Sequence, residues 1–192
     1  MTRTTLLSSP TECTGKTGIA LSLGLEAQDR GDEVGYMKPR GTSLETVVGK
    51  TLDSDPMLAR EVLGVDDEVH EMEPVVYSPT FAEEAVRGRV DTDELHGEVS
   101  SAYDAVSEGR GSVVVEGADV YTTGGVIDLT DADLARALDA RVVLVAGFDG
   151  YRGVDDVLAA ARVFDDRLHG VVFNGVEDAD FDDVEEAVVP YL

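Results

Sequence analysis

The chain has 192 residues, is 43% hydrophobic, and carries a formal net charge of −25 from 40 acidic and 15 basic residues. That length and apolar content suit one domain with its own core, and the charge excludes nucleic acid and anionic membranes as favoured partners. No apolar run approaches the roughly 20 residues of a membrane span, and the N-terminus lacks a signal-peptide layout, so a cytoplasmic location is expected.

The acids are spread along the chain between core-like segments, which argues against a disordered tail. We read them as a halophilic surface, one whose self-repulsion is screened at high salt. Lysine is scarce: only Lys16, Lys38 and Lys50 occur. The single cysteine, Cys13, excludes an internal disulfide and a cysteine metal cluster.

In chain order, "TTLLSS" (4–9) predicts a first strand and "GKTGIALSLGLEAQDR" (15–30) a helix stopped by Gly31. "EVGYMKP" (33–39) predicts a strand closed by Pro39, and "DPMLAREVLG" (55–64) a short helix with Pro56 in its first turn. "EMEPVVYSP" (71–79) reads as irregular or briefly extended. "TFAEEAVRG" and "TDELHGEVSSAYDAVSEG" read as two capped helices. The valine runs "GSVVVEGAD" (111–119) and "ARVVLVAGF" (140–148) predict strands buried on both faces, and "HGVVFNGV" (169–176) predicts a further strand. Helices over "DADLARALD", "GVDDVLAAARVFDD" and "DFDDVEEAVVPYL" alternate with them. This order predicts an α/β fold: a doubly wound, mostly parallel sheet with helices on both faces. Residues 1–192 read as a single domain. The chain ends in or just after a helix, where such a sheet often adds a strand, so a following strand or C-terminal domain is an expectation.

Between the first strand and helix stands "SSPTECTGKTG" (8–18). Its second half, Gly15-Lys16-Thr17, fits the phosphate-loop pattern: backbone N–H groups at a helix start, a lysine for the outer phosphates, a hydroxyl for Mg²⁺. Its first half does not fit, because Pro10 stands where the first glycine belongs and donates no N–H. Taken alone, the segment is equally a helix start capped by Thr14. Glu116, ending a buried valine strand before Gly117, is where such a sheet places a carboxylate near its metal. Asp53 and Asp55 are a second carboxylate source, although Asp55 before Pro56 also suits a helix N-cap. Cys13 lies inside the loop, where its backbone N–H would face phosphate.

With these pieces placed, the chain resembles the dethiobiotin synthetase-like P-loop family. "PTECTGKTG", "GDEVGYMKPRG", "GSVVVEGAD" and "GVVFNGV" carry the likeness from residue 8 to about 176. The resemblance implies ATP and Mg²⁺ as cofactors. It implies nucleotide contacts from Thr11, Glu12, Cys13, Thr14, Gly15, Lys16 and Thr17, a purine contact from Asn174, and metal ligation by Thr17, Asp55 and Glu116. Lys16 and Lys38 would be the catalytic cations, with Lys38 toward a substrate carbamate and the transferred phosphate. The runs "DPMLAREVLGVD" and "EGADVYTTGGVIDLTDADLARALDARVVLVAG" look closer to the N-terminal domain of phosphate acetyltransferases and related archaeal proteins. "EGADVYTTGGV" departs from the substrate loop of true dethiobiotin synthetases. The resemblance therefore implies a nucleotide-binding or regulatory module acting on a partner domain, with an ATP-dependent ligase as the alternative, and a homodimer as the assembly.

Overall fold

The structure is a computed structural model and describes residues 2–12, 14–47 and 50–192. In chain order the first elements are β1 (Arg3–Ser8), α1 (Lys16–Asp29), β2 (Val34–Met37), β3 (Arg40–Gly41), β4 (Leu44–Val47), β5 (Lys50–Asp53) and α2 (Ser54–Leu63). There follow α3 (Val69–Met72), β6 (Val75–Val76), α4 (Pro79–Val86), α5 (Thr92–Ser107), β7 (Ser112–Glu116) and α6 (Asp131–Ala137). The last are β8 (Arg141–Ala146), α7 (Gly153–Phe164), β9 (Leu168–Phe173) and a helical segment from Phe181 to Tyr191 with a π-turn over Val184–Val188.

Five strands form one sheet in the order β2-β7-β1-β8-β9, and every neighbouring pair is parallel. β1 is the central strand, with Leu6 opposite Val115 on one side and Val142 on the other. Side chains alternate across it. Leu6, Val113, Val115, Val142 and Leu144 face a core completed by Val106 of α5, Leu134 of α6 and Phe164 of α7. Leu7, Val114, Val145 and Tyr36 face the other way, onto Ala20 and Leu21 of α1 and Ala59 and Leu63 of α2. Leu6 and Leu7 are both fully buried, each contributing roughly 1.5–3 kcal/mol of apolar burial. With two covered faces β7 and β8 need no polar side, which is why they read as unbroken apolar runs, whereas the edge strand β9 is only partly covered. The expected doubly wound fold is thus the observed one.

Local differences from the sequence reading have physical causes. β4 and β5 form an antiparallel hairpin that the sequence does not announce, since Leu44–Val47 and Lys50–Asp53 lack a clean apolar alternation. The segment at 71–79 is ordered as the end of α3 and as β6, which pairs with β3 in parallel. α2 starts one residue earlier than predicted, and its N-cap is Asp53, whose side chain accepts from the Asp55 N–H. The capping role that Asp55 suited on sequence therefore belongs to Asp53, and Asp55 sits in the first turn with its carboxylate free for other work.

Candidate functional site

The C-terminal ends of β1, β2, β7, β8 and β9 open on one edge, the edge where parallel α/β sheets bind ligands. The loop between β1 and α1 rises there. Gly15 is the N-cap of α1 and has φ 77°, the left-handed region that glycine reaches freely. A Cβ at Gly15 would stand 2.5 Å from Asn174 Nδ2. Thr14 does not cap the helix, in contrast to the alternative its sequence position offered. α1 has no side-chain cap, and the Thr14 hydroxyl is buried without a partner among the described residues. The first N–H groups of α1 are thus left for a ligand.

Lys16 is buried, and its ammonium donates to Ser9 Oγ at 2.8 Å and to the Asp119 carbonyl at 3.1 Å. An ammonium has three donors, so one remains for phosphate. Burial pulls the Lys16 pKa down, and the charges of Asp131, Glu116 and Asp119 partly restore it. Thr17 donates to Glu116 Oε1 at 2.7 Å, and Tyr36 donates to Glu116 Oε2 at 2.6 Å. Burial raises the Glu116 pKa, and the nearby negative charge of Asp55 adds to it. The Thr17 hydroxyl and Glu116 are in contact, and Asp55 lies near enough for its charge to act on Glu116; these are hard-oxygen donors of the kind that suit Mg²⁺ with several waters and phosphate oxygens.

Lys38, at the end of β2, is buried and ion-paired with both Asp53, at 2.7 Å, and Asp55. Burial alone would lower its pKa, but these two carboxylates outweigh it and hold it raised. Asp53 is saturated. It accepts from the Thr42 and Ser43 backbone N–H groups at 2.9 and 2.8 Å and from the Asp55 N–H at 2.9 Å. Its own N–H donates to Glu73 Oε2 at 2.9 Å, while Glu73 Oε1 is buried with no partner among the described residues. Burial pushes the Glu73 carboxyl up to about 7.

A second buried pair ties the walls together. Arg40 and Asp131 are ion-paired with both side chains fully buried. Arg40 also donates to the carbonyls of Thr123 and Leu129. Asp131 accepts from Ser8 Oγ at 2.5 Å and lies over the Ala118 N–H at 3.4 Å. The pair joins the end of β1, β3, the loop after β7 and the start of α6. Any Cβ at Gly117 would collide with the Asp131 carboxylate.

The structure gathers Thr14, Gly15, Lys16, Thr17, Lys38, Asp55, Glu116 and Asn174 at this one edge. Thr11 and Glu12 are exposed on the loop and line a cleft of about 820 Å³ with Pro10, Phe148, Arg152 and Asn174. Asn174 Nδ2 donates to the Thr14 carbonyl at 2.9 Å, so it braces the phosphate loop, and its Oδ1 has no hydrogen bond among the described residues. Cys13 lies outside the described residues. The sequence reading did not find Tyr36, Arg40, Glu73, Asp119 or Asp131. Only Arg40 offered a signal, standing two residues beyond Lys38.

The model of the AAA domain family (AAA_26) matches residues 3–190. An ATP-dependent dethiobiotin synthetase BioD of Parafrankia sp. (strain EAN1pec) is 36% identical over 137 residues, covering 68% of this chain and 53% of that protein. A BioD of Methanocaldococcus jannaschii is 28% identical over 136 residues, covering 69% and 60%. The chain thus spans little more than half the length of these curated relatives. Among solved structures, the BceF tyrosine kinase domain superposes with a TM-score of 0.54 at 15% identity, covering 91% of this chain and 69% of that one. The kinase domain of Escherichia coli tyrosine kinase ETK gives 0.52 at 15%, covering 92% and 69%. These two likenesses speak for the fold alone. With the family model running over nearly its whole length, the chain belongs to the AAA domain family of P-loop proteins and is dethiobiotin synthetase-like.

Proposed function

We propose that this chain is an Mg²⁺-dependent ATP-binding domain that acts as a regulatory module, related to the N-terminal domain of phosphate acetyltransferases. The observation that carries the reading is the Thr17–Glu116 pair at 2.7 Å beside an uncapped helix start and a buried Lys16. The phosphates would lie on the α1 N-terminus and Lys16, with residues Thr11 to Thr17 around them. Mg²⁺ would be held by Thr17, Asp55 and Glu116, and would screen the phosphate charge. Asn174 and the cleft beside Phe148 would receive the base. The departure of residues 116–126 from a dethiobiotin synthetase substrate loop favours a module over that enzyme. A cytoplasmic homodimer is the working assembly; no helix among the described residues is long and apolar enough to cross a membrane.

A second reading is a ligase, favoured by the BioD relatives. Lys16, Lys38 and Mg²⁺ would then offset charge on a transferring phosphoryl group, and an amine would displace phosphate from the activated carbamate.

ATP titration of the wild type and Lys16→Ala, with and without Mg²⁺ in high salt, tests the binding claim; no binding by the wild type refutes both readings. Phosphate release that depends on 7,8-diaminopelargonate in the presence of bicarbonate and ATP would select the ligase. ATP binding with no such release retains the module.

A further inference from the structure

The two carboxylates that Lys38 holds are not equivalent. Asp53 is fixed by three backbone N–H groups and is fully buried. The Asp55 carboxylate, 17% exposed, has Lys38 as its one charged partner among the described residues. It is also near enough to Glu116, which accepts from the Thr17 hydroxyl, for the two like charges to oppose each other. Such a pair of carboxylates needs a nearby cation, and here Lys38 supplies it. A divalent ion at the same carboxylates would repel that ammonium, and an arriving triphosphate would attract it. Lys38 spends two donors on Asp53 and Asp55, so its third can engage an incoming oxygen before the others let go.

We propose that Lys38 is an exchangeable counter-ion: its ammonium occupies Asp55 in the nucleotide-free chain and gives it up to the divalent cation only when nucleotide phosphates arrive to receive the ammonium. Asp53 is the pivot that keeps the ammonium in reach throughout. Metal and nucleotide then enter together, and the chain without nucleotide is a poor metal binder despite its acidic surface. This rests on the ATP-binding reading above.

The test uses Mn²⁺ as the probe, followed by the loss of its free EPR signal in high salt. Wild type and Lys38→Met are titrated alone and when loaded with a non-hydrolysable ATP analogue. The expected result is that Lys38→Met raises Mn²⁺ affinity of the nucleotide-free chain about tenfold or more, and leaves the loaded chain unchanged or weaker. An equal rise in both states is plain loss of a positive charge and overturns the proposal, as does a nucleotide-free affinity within about twofold of wild type. A wild-type measurement stands beside the variant should Lys38→Met fail to fold. With only three lysines, Lys16, Lys38 and Lys50, the side-chain ¹⁵N spectrum is assignable. The Lys38 signal is expected to move on adding ATP with Mg²⁺ and to stay on adding Mg²⁺ alone. A signal that ignores both, or one that moves fully with Mg²⁺ alone, overturns the exchange. Wild type that binds no ATP refutes the function itself, whereas ATP binding with a stationary Lys38 refutes the exchange alone.

Discussion

Glu73 offers the sharpest check on the electrostatics of this site. The residue is 4% exposed, and its carboxyl takes one hydrogen bond from the Asp53 N–H and leaves its other oxygen unpartnered among the described residues. Burial, added to the neighbouring charge of Asp53, lifts it from an ordinary 4.5 to about 7 despite that hydrogen bond. An acid held above its ordinary value binds more protons in the folded chain than in the unfolded one. Its stability contribution is therefore full below 4.5 and is lost as pH rises toward about 7. Each tenfold change in proton affinity is about 1.36 kcal/mol, so the full span is at most about 3 kcal/mol. Glu73→Gln copies the shape of the protonated carboxyl and removes its titration. Urea unfolding of both proteins across this range, in high salt, measures the difference. The variant is expected to match wild type within about 0.5 kcal/mol near pH 4.5 and to exceed it by up to about 3 kcal/mol near pH 8. A difference that does not change with pH refutes the reasoning, because it would mean that Glu73 ionises alike in both states.

Other outcomes follow from the same geometry. Lys16→Ala removes a charged donor to phosphate and is expected to weaken ATP binding by about ten- to a hundredfold in calorimetry, with little change in melting temperature. Gly15→Ala forces a left-handed alanine, about 1–2 kcal/mol, and its Cβ would displace Asn174; melting temperature and ATP affinity should fall together. Arg40→Met leaves the buried Asp131 without its ion-pair partner and is expected to cost about 3–5 kcal/mol in unfolding experiments, while the double variant Arg40→Met/Asp131→Leu should cost less than the two single changes combined. The net charge of −25 predicts that stability rises on going from about 0.1 to about 2 M KCl; full stability in salt-free buffer would refute the halophilic reading.

The sheet was legible because residues 113–115 and 142–145 are apolar without interruption, the mark of strands covered twice. Lys16, Thr17 and Glu116 were legible because strand, loop and helix follow one another in a fixed spacing. The Arg40–Asp131 pair was not, since a buried charge looks like a surface charge in a chain where 29% of residues are charged. The partners lie 91 positions apart, and only the folded chain brings them together. Asp53 and Asp55 were both visible as acids, but their division of labour depends on where α2 begins, a boundary of one residue. The β4–β5 hairpin escaped because its stability comes from neighbours, including the Asp53 contacts, rather than from an apolar pattern of its own.

The central place of β1 has a consequence for how the protein comes into being. β1 leaves the ribosome before its partners Ser112–Glu116 and Arg141–Leu144, and its loop is braced by Asn174, 160 positions after Thr14. Pairings this distant in sequence carry a large loop-closure cost and form slowly. The phosphate loop therefore has no rigid base until the chain has grown past residue 144, and no brace until Asn174 has emerged. During synthesis the phosphate loop is encoded well before the strands that support it and the asparagine that braces it, so ATP can recognise it only after Asn174 has emerged.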